Sequence, residues 1–220
     1  MIEFQKVSVK RANNRGINEV SFKIKSGRFV YLMGPTGAGK STIIKSIQKS
    51  VNIDSGKVIV FNRDISNLRN NELAKYRRNI GMIFQDFKLL NDRTVFDNIA
   101  LPLQIAGINY DEVHVRVKKV LQNIGLSNKI KMMPYELSGG EQQKICVARA
   151  IIKKPKIILA DEPTGNLDPS ASDDIIDLLE NESKLGTTVI MATHNYPLIE
   201  DRIKYFIEIN EGKLINDWKI

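Results

Sequence analysis

The segment Gly34-Pro-Thr-Gly-Ala-Gly-Lys-Ser-Thr42 constrains this 220-residue chain more than any other. It fits the pattern G-x-x-x-x-G-K-[ST], follows the apolar run Phe29–Met33 and opens the stretch Ser41–Ser50. In that stretch Ile43, Ile44 and Ile47 share one helical side. A continuously apolar strand, a glycine loop and a helix in this order suit a parallel sheet covered on both faces. The glycines let backbone NH groups turn inward around a phosphate chain, and the helix adds unpaired NH groups and its positive end. Gly34, Pro35, Thr36, Gly37, Ala38, Gly39, Lys40, Ser41 and Thr42 are therefore the candidate nucleotide-binding residues. Lys40 is placed to reach the β- and γ-phosphates, and the Ser41 hydroxyl suits Mg2+. Asn128-Lys129-Ile130-Lys131 lacks the aspartate of a guanine-reading Asn-Lys-x-Asp element, which disfavours GTP.

Ile2–Val9 and Val20–Ile24 read as short strands joined through a polar Asn13–Gly16 turn. Val58–Phe61, Ile80–Phe84, Ile157–Ala160 and Thr187–Ala192 are further apolar strand segments, and Tyr205–Ile209 with Lys213–Asn216 reads as a terminal hairpin. Helical stripes run through Val113, Val117, Val120, Leu121 and Ile124, through Ile145, Ala148, Ile151 and Ile152, and through Ile175, Ile176, Leu178 and Leu179. The expected fold is α/β: a phosphate-loop nucleotide-binding domain with a mostly parallel central sheet and an N-terminal antiparallel β portion. The interval from about Gln85 to Lys154 has no clear strand. One domain over 1–220 is expected, with a catalytic core of about 1–84 and 155–220 and an inserted helical subdomain of 85–154.

Ile157-Ile158-Leu159-Ala160-Asp161-Glu162 carries two adjacent carboxylates to the end of an apolar strand, where ligands of parallel sheets gather. Side chains alternate at a strand end, so the two acids serve different contacts. Asp161 is placed to hold Mg2+, and Glu162 to orient or deprotonate a water beyond the γ-phosphate. Gln85, after the Ile80–Phe84 strand, has the neutral donor and acceptor to sense metal and attacking water. His194, after Thr187–Thr193, can bond the γ-phosphate or orient water. Glu162, Gln85 and His194 are the candidate catalytic residues, and Ser41, Asp161 and Gln85 the candidate metal ligands.

Leu137-Ser-Gly-Gly-Glu-Gln-Gln143 precedes the Ile145/Ala148/Ile151 stripe, with Ser138 as a helix cap and the glycine pair exposing backbone NH groups at the positive helix end. The phosphate loop, Gln85, this segment, the acidic strand and His194 stand in the order found in the ATP-binding cassette ATPases, which the sequence resembles along its whole length. The resemblance implies a nucleotide-binding domain that hydrolyses ATP with Mg2+ and pairs head to tail with a second copy of the same chain. Leu137, Ser138, Gly139, Gly140, Glu141 and Gln142 of one copy would then meet the γ-phosphate held by the other. Asp168, in Gly165-Asn-Leu-Asp168, would couple the two sites, besides capping the helix that begins at Pro169. One departure concerns the base. Where the family places an aromatic ring to stack on adenine, this chain has Arg11-Ala12, and the planar guanidinium of Arg11 is the candidate substitute.

Thirty-three Lys and Arg against twenty-five Asp and Glu give a net charge of +8, which fits contact with phosphates, nucleic acid or anionic lipid. The basic residues are scattered and no RNA- or DNA-reading module is recognisable, so nucleic acid is not an expected partner. Ser138 follows Lys40 by only 98 positions, which leaves no room for the long coiled coil of chromosome-maintenance relatives. A single cysteine, Cys146, excludes an intrachain disulfide framework and any multi-cysteine metal site. No run reaches the length of a spanning helix, and MIEFQKVSVKR does not read as a signal peptide. Met82–Leu103 most resembles the bacterial cell-division branch of the family. That resemblance implies a peripheral protein at the cytoplasmic face of the plasma membrane, at the division site. Its partner would be an FtsX-like integral membrane protein, linking it indirectly to extracytoplasmic peptidoglycan hydrolases or their activators. Asp86–Leu90 would offer that partner a groove, with Phe87, Leu89 and Leu90 as apolar anchors. The alternative is the ATPase of a lipoprotein-releasing or small-molecule exporter.

Overall fold

Alternation along the buried strands decides how the layers stack. The computed structural model describes residues 1–10, 16–202 and 205–219; Arg11 and the 13–15 part of the expected turn lie outside them. Strands β1 (Ile2–Val9), β2 (Ile17–Ile24), β4 (Ser55–Val60) and β5 (Arg63–Asp64) form an antiparallel sheet in the order β2-β1-β4-β5. Strands β3 (Phe29–Met33), β6 (Ile80–Ile83), β7 (Ile157–Asp161), β8 (Thr188–Thr193), β9 (Tyr205–Asn210) and β10 (Lys213–Lys219) form the second, in the order β10-β9-β3-β8-β7-β6. Its pairings are parallel except for the β9–β10 hairpin. The expected α/β class, with its antiparallel N-terminal portion, is the one observed.

Val30 and Leu32 of β3, Ile157 and Leu159 of β7, and Ile190 and Ala192 of β8 enter a core shared with the antiparallel sheet. Their neighbours Tyr31, Ile158, Ala160, Val189 and Met191 enter a second core on the opposite face. A strand packed on both sides has no polar side to show, and β8 is buried at every position. Helix α1 (Lys40–Ile47) adds Ile43, Ile44 and Ile47 to the first core. Helices α5 (Gly139–Ile151) and α6 (Pro169–Lys184) cover the second. A third core joins α3 (Val95–Ile105), α4 (Tyr110–Asn123) and the other side of α5. Helix α5 is thus two-faced: Cys146, Val147 and Ala150 pack on the sheet, Ile145 and Ala148 on the helices.

Among the elements that the sequence pattern did not announce are β5, α2 and α3. β5 is only two residues long. Helix α2 (Asn70–Arg77) is mostly polar and shows no apolar stripe. Helix α3 carries Pro102 in its interior, normally a breaking signal. It persists because it is anchored at its start: Thr94 caps it by accepting from the Asp97 amide, and Val95, Ile99, Ala100 and Leu103 are buried. Arg77 donates to the carbonyls of Gln48 and Lys49 and closes the end of α1. Cys146 packs in the core between α5 and the sheet, and burial pushes its thiol up to about 12.

Asn98 of α3 is fully buried and organises the loop before that helix. Its amide group donates to the carbonyls of Leu90, Arg93 and Thr94, and its oxygen accepts from the Leu90 amide. Asn98→Ala strands several of these groups away from water, so denaturant titration should show a loss of roughly 2–4 kcal/mol. A loss below about 0.5 kcal/mol would show that the loop finds other partners.

Candidate active site

The phosphate loop is held from outside by backbone bonds. The Gly212 amide, at the tip of the β9–β10 hairpin, donates to the Ala38 carbonyl at 2.9 Å, and the Asn18 amide donates to the Gly212 carbonyl. Gly34 has φ 144°, and a Cβ there would lie 2.0 Å from the Ile209 carbonyl oxygen. At Gly39, φ 114°, a Cβ would lie 2.9 Å from the Gly16 carbonyl oxygen. Glycine is therefore required at both positions, by backbone conformation and by contact. Among the described residues the amides of Gly37, Gly39, Lys40 and Ser41 have no backbone acceptor, whereas those of Thr42 and Ile43 bond to the Gly39 carbonyl. Free NH groups at the start of α1 are the requirement for an anion cradle.

Alternation along β7 sends Asp161 to the same side as Ile157 and Leu159, which is the side of α1. The Ser41 hydroxyl donates to Asp161 Oδ1 at 3.0 Å. Burial holds the Asp161 carboxyl above the usual carboxylate range, against the pull of the Ser41 hydrogen bond. Glu162, one residue on, has φ 49° and turns elsewhere. Its Oε1 lies 3.3 Å from Lys40 Nζ and its Oε2 2.7 Å from His194 Nδ1. Lys40 is only 4% exposed, and its ammonium also donates to the carbonyls of Gly34 and Pro35 at 2.7 and 3.0 Å. Lys40, Ser41, Asp161, Glu162 and His194 thus converge from α1, β7 and the end of β8. No group of three or more His, Cys, Asp or Glu that could hold a metal occurs among the described residues. One hydroxyl and one carboxylate beside a phosphate cradle are the sparse donor set that Mg2+ accepts, since it keeps water and phosphate oxygens as its other ligands.

Gln85 stands apart from that cluster. Its side chain lies over Gly165, where a Cβ would come within 3.0 Å of Nε2, and the Asn166 amide group donates to its carbonyl. Ser138 caps α5 by accepting from the Glu141 amide, while Glu141 accepts from the Ser138 amide at 2.9 Å and pairs with Lys129. That backbone bond, helped by Lys129, holds the Glu141 carboxyl below its ordinary range. The Gln142 amide group donates to the Leu137 carbonyl. Gly139 lies beside Leu167 and Phe87, and Gly140 beside Ala171. Asp168 caps α6 by accepting from the Ala171 amide, the role its position before Pro169 implied. No hydrogen bond or ion pair among the described residues joins the 137–142 segment to the phosphate loop of the same chain. Of the three apolar residues after Gln85, Phe87 and Leu89 pack inward and Leu90 is exposed. Arg11 lies outside the described residues.

A family model described as ABC transporter matches residues 17–165, from β2 to the loop after Glu162. The chain belongs to the ABC transporter family. It is 45% identical over 215 residues to the cell division ATP-binding protein FtsE of Escherichia coli, covering 97% of each chain. It is 43% identical over 201 residues to the protein of the same name from Mycobacterium tuberculosis, covering 91% of this chain and 87% of that one. These identities place it in the FtsE branch of the family. The dimeric post-hydrolysis structure of the ATP-binding cassette MJ0796, bound to ADP and Pi, superposes with a TM-score of 0.88 at 32% identity, covering 100% of this chain and 98% of the other.

One position past the glycine-rich candidates Leu137–Gln142 lies a residue of this cassette that its local sequence does not single out. Gln143 is completely buried and bonds both to the carbonyl before Gln85 and to the one after Glu162. A polar residue on the inner side of an otherwise apolar helix was the available signal.

The Asp161 carboxyl gives the cassette a stability signature. An acid whose folded pKa is raised destabilises the fold while it is charged, and the penalty is relieved as pH falls through that pKa. Asp161→Asn should therefore raise the melting temperature of the nucleotide-free protein in chelator at pH 7.5, and the advantage should shrink as the pH is lowered. A lower melting temperature at pH 7.5 would contradict the burial argument.

Proposed function

We propose that the chain is the Mg-ATP-dependent ATPase of a membrane-associated cell-division complex. In this reading, nucleotide-driven dimer closure is transmitted through an FtsX-like integral membrane protein to control peptidoglycan hydrolysis. The observation that carries the catalytic part is Glu162, held between the phosphate-loop lysine and His194. A γ-phosphate in the cradle competes with Glu162 and two loop carbonyls for the buried ammonium of Lys40. The Glu162 carboxylate, still bonded to His194, then accepts the proton of a water as its oxygen attacks the γ-phosphorus. The bond from phosphorus to the bridging oxygen breaks, and ADP and phosphate leave. Lys40 and the free loop amides stabilise the charge that gathers on the phosphoryl oxygens. Ser41 and Asp161 are the proposed holders of Mg2+, with Gln85 joining them at the edge of the site. The ion would neutralise and orient the phosphates.

The head-to-tail pairing gives the 137–142 segment its role. Within one chain it has no bond to the phosphate loop, yet it presents a capped, positive helix end of the kind that binds anions. Supplied by a second copy, Ser138 and Gly140 would meet the γ-phosphate, and Asp168 would link the paired sites. ATP offers both chains a shared anion and ADP does not, so closure follows the nucleotide. Arg11 is the proposed stack for adenine. The division into a core of about 1–84 and 155–220 and a helical part of 85–154 belongs to the same reading, supported by the separate apolar core of α3, α4 and α5.

The cell-division role rests on the FtsE relatives. No helix among the described residues is long and apolar enough to cross a membrane; in this reading the spanning partner carries the motion into the bilayer. The turn after Gln85 is the proposed contact, with the exposed Leu90 as its apolar anchor. Phe87 and Lys88 there have positive φ and are fixed by Arg149, which donates to both their carbonyls. A peripheral position at the division site follows from that partner.

Glu162→Gln keeps the shape of the side chain and removes its basicity. It should bind ATP normally, lose about 10²- to 10⁴-fold in phosphate release, and accumulate as a dimer with Mg-ATP in size-exclusion chromatography. Near-native turnover would remove Glu162 from the proposed role.

A further inference from the structure

Helix α5 begins at the glycine-rich segment, and five residues beyond Ser138 it carries a fully buried glutamine. Gln143 Nε2 donates to the Pro163 carbonyl at 2.6 Å and to the Phe84 carbonyl at 3.3 Å. Those oxygens belong to the peptide units that flank the two proposed catalytic loops: Phe84 immediately precedes Gln85, and Pro163 immediately follows Glu162. The orientation of the amide is forced. With nitrogen and oxygen exchanged, one acceptor would face two others. The amide oxygen, Oε1, is buried and has no partner among the described residues. An amide that leaves one polar atom unsatisfied in a core is a poor way to fill space, and an apolar side chain of the same length would pack there without that penalty. What the amide supplies, and no apolar residue can, is a pair of donors that tie both loops to one helix.

We infer that Gln143 is a positioning residue that sets Gln85 and Glu162 in register with the helix end presented to the second copy. The inference rests on the roles proposed above for Glu162 and the 137–142 segment, and adds a fully buried residue whose bonds go to the backbones of the two loops. The surrounding geometry supports it. Glu162 reaches the site through a left-handed backbone conformation, which non-glycine residues hold only where neighbours fix it, and Pro163 is its next neighbour. On the other side, Gln85 lies against Gly165, three residues beyond Glu162. The two loops therefore touch at Gly165 and are pinned together at Gln143. Arg149 and Cys146 also tie α5 to the turn after Gln85, but Gln143 bonds to both loops, so movement of the α5 terminus on engaging a partner chain reaches both through its amide.

Gln143→Met preserves side-chain length and removes both donors. The expected result, measured on the full chain and counted per folded molecule, is a melting temperature within a few degrees of the parent. KM for ATP should stay within about twofold, with kcat lower by about 10- to 100-fold, because Glu162 is displaced from its water. An unchanged kcat overturns the inference, and so does a rise in KM at constant kcat. If Gln143→Met does not fold, Gln143→Asn takes its place. Its amide is one methylene shorter and reaches one carbonyl at a time, so the same split is expected and a parental kcat overturns the inference. Glu162→Gln run in parallel separates the two levels. Native turnover there removes the proposed base whatever Gln143 does, whereas an inactive Glu162→Gln beside a fully active Gln143→Met removes only the positioning role.

Discussion

A single buried ammonium organises the site. Lys40 sits almost without solvent, and a charge so placed is costly unless it is paired and hydrogen-bonded. Two loop carbonyls and Glu162 meet that demand, and Glu162 is in turn held by His194. The contacts span the phosphate loop, the end of β7 and the end of β8, so one cation fixes three strand ends of the parallel sheet. In the proposed mechanism a triphosphate entering the loop would offer Lys40 a stronger set of anionic partners and free Glu162 from it. The same interaction thus pairs the buried charge without nucleotide and, in the proposed mechanism, releases the carboxylate when substrate arrives.

The parallel sheet makes this possible through its two-sided burial. Because alternate residues of β7 face opposite cores, Asp161 falls on the side of α1 and meets Ser41, while the unusual backbone at Glu162 redirects the next carboxylate toward Lys40 and His194. Helix α5 uses its own two faces in a comparable way, lying on the sheet with one and on the α3–α4 pair with the other. It carries the glycine-rich segment at its start and Gln143 on its inner side. The proposed partner-facing surface and the proposed catalytic loops are therefore connected through one rigid element.

Most of the central machinery was legible in the sequence because its local chemistry is restrictive. The loop at Gly34–Thr42 tolerates few residues, and the adjacent acids at 161 and 162 end a strand too apolar to lie at the surface. The structure brings Lys40, Ser41, Asp161, Glu162 and His194 together as the motif order implied. It leaves Gln85 beside Gly165, since strand order alone does not fix how far a side chain leans. Helix α3 was missed because Pro102 masks a segment held by tertiary burial and by Asn98. α2 was missed because so little of it is apolar. Gln143 went unnoticed for a different reason: the importance of a buried donor depends on which carbonyls surround it, and residues 84 and 163 are distant in sequence. Phe87 and Leu89 turned inward because the strained turn at 87–88 is pulled against α5 by Arg149 and Cys146.

The proposed mechanism requires that one chain supply the phosphate cradle and another the capped helix end. The most direct test is ATP turnover per chain, measured with saturating Mg-ATP as the protein is diluted from micromolar to low nanomolar concentration. Two-chain sites predict that the specific rate falls toward zero on dilution, following the loss of dimer observed in parallel by mass photometry or light scattering. A specific rate that stays constant while the protein is shown to be monomeric would contradict the account.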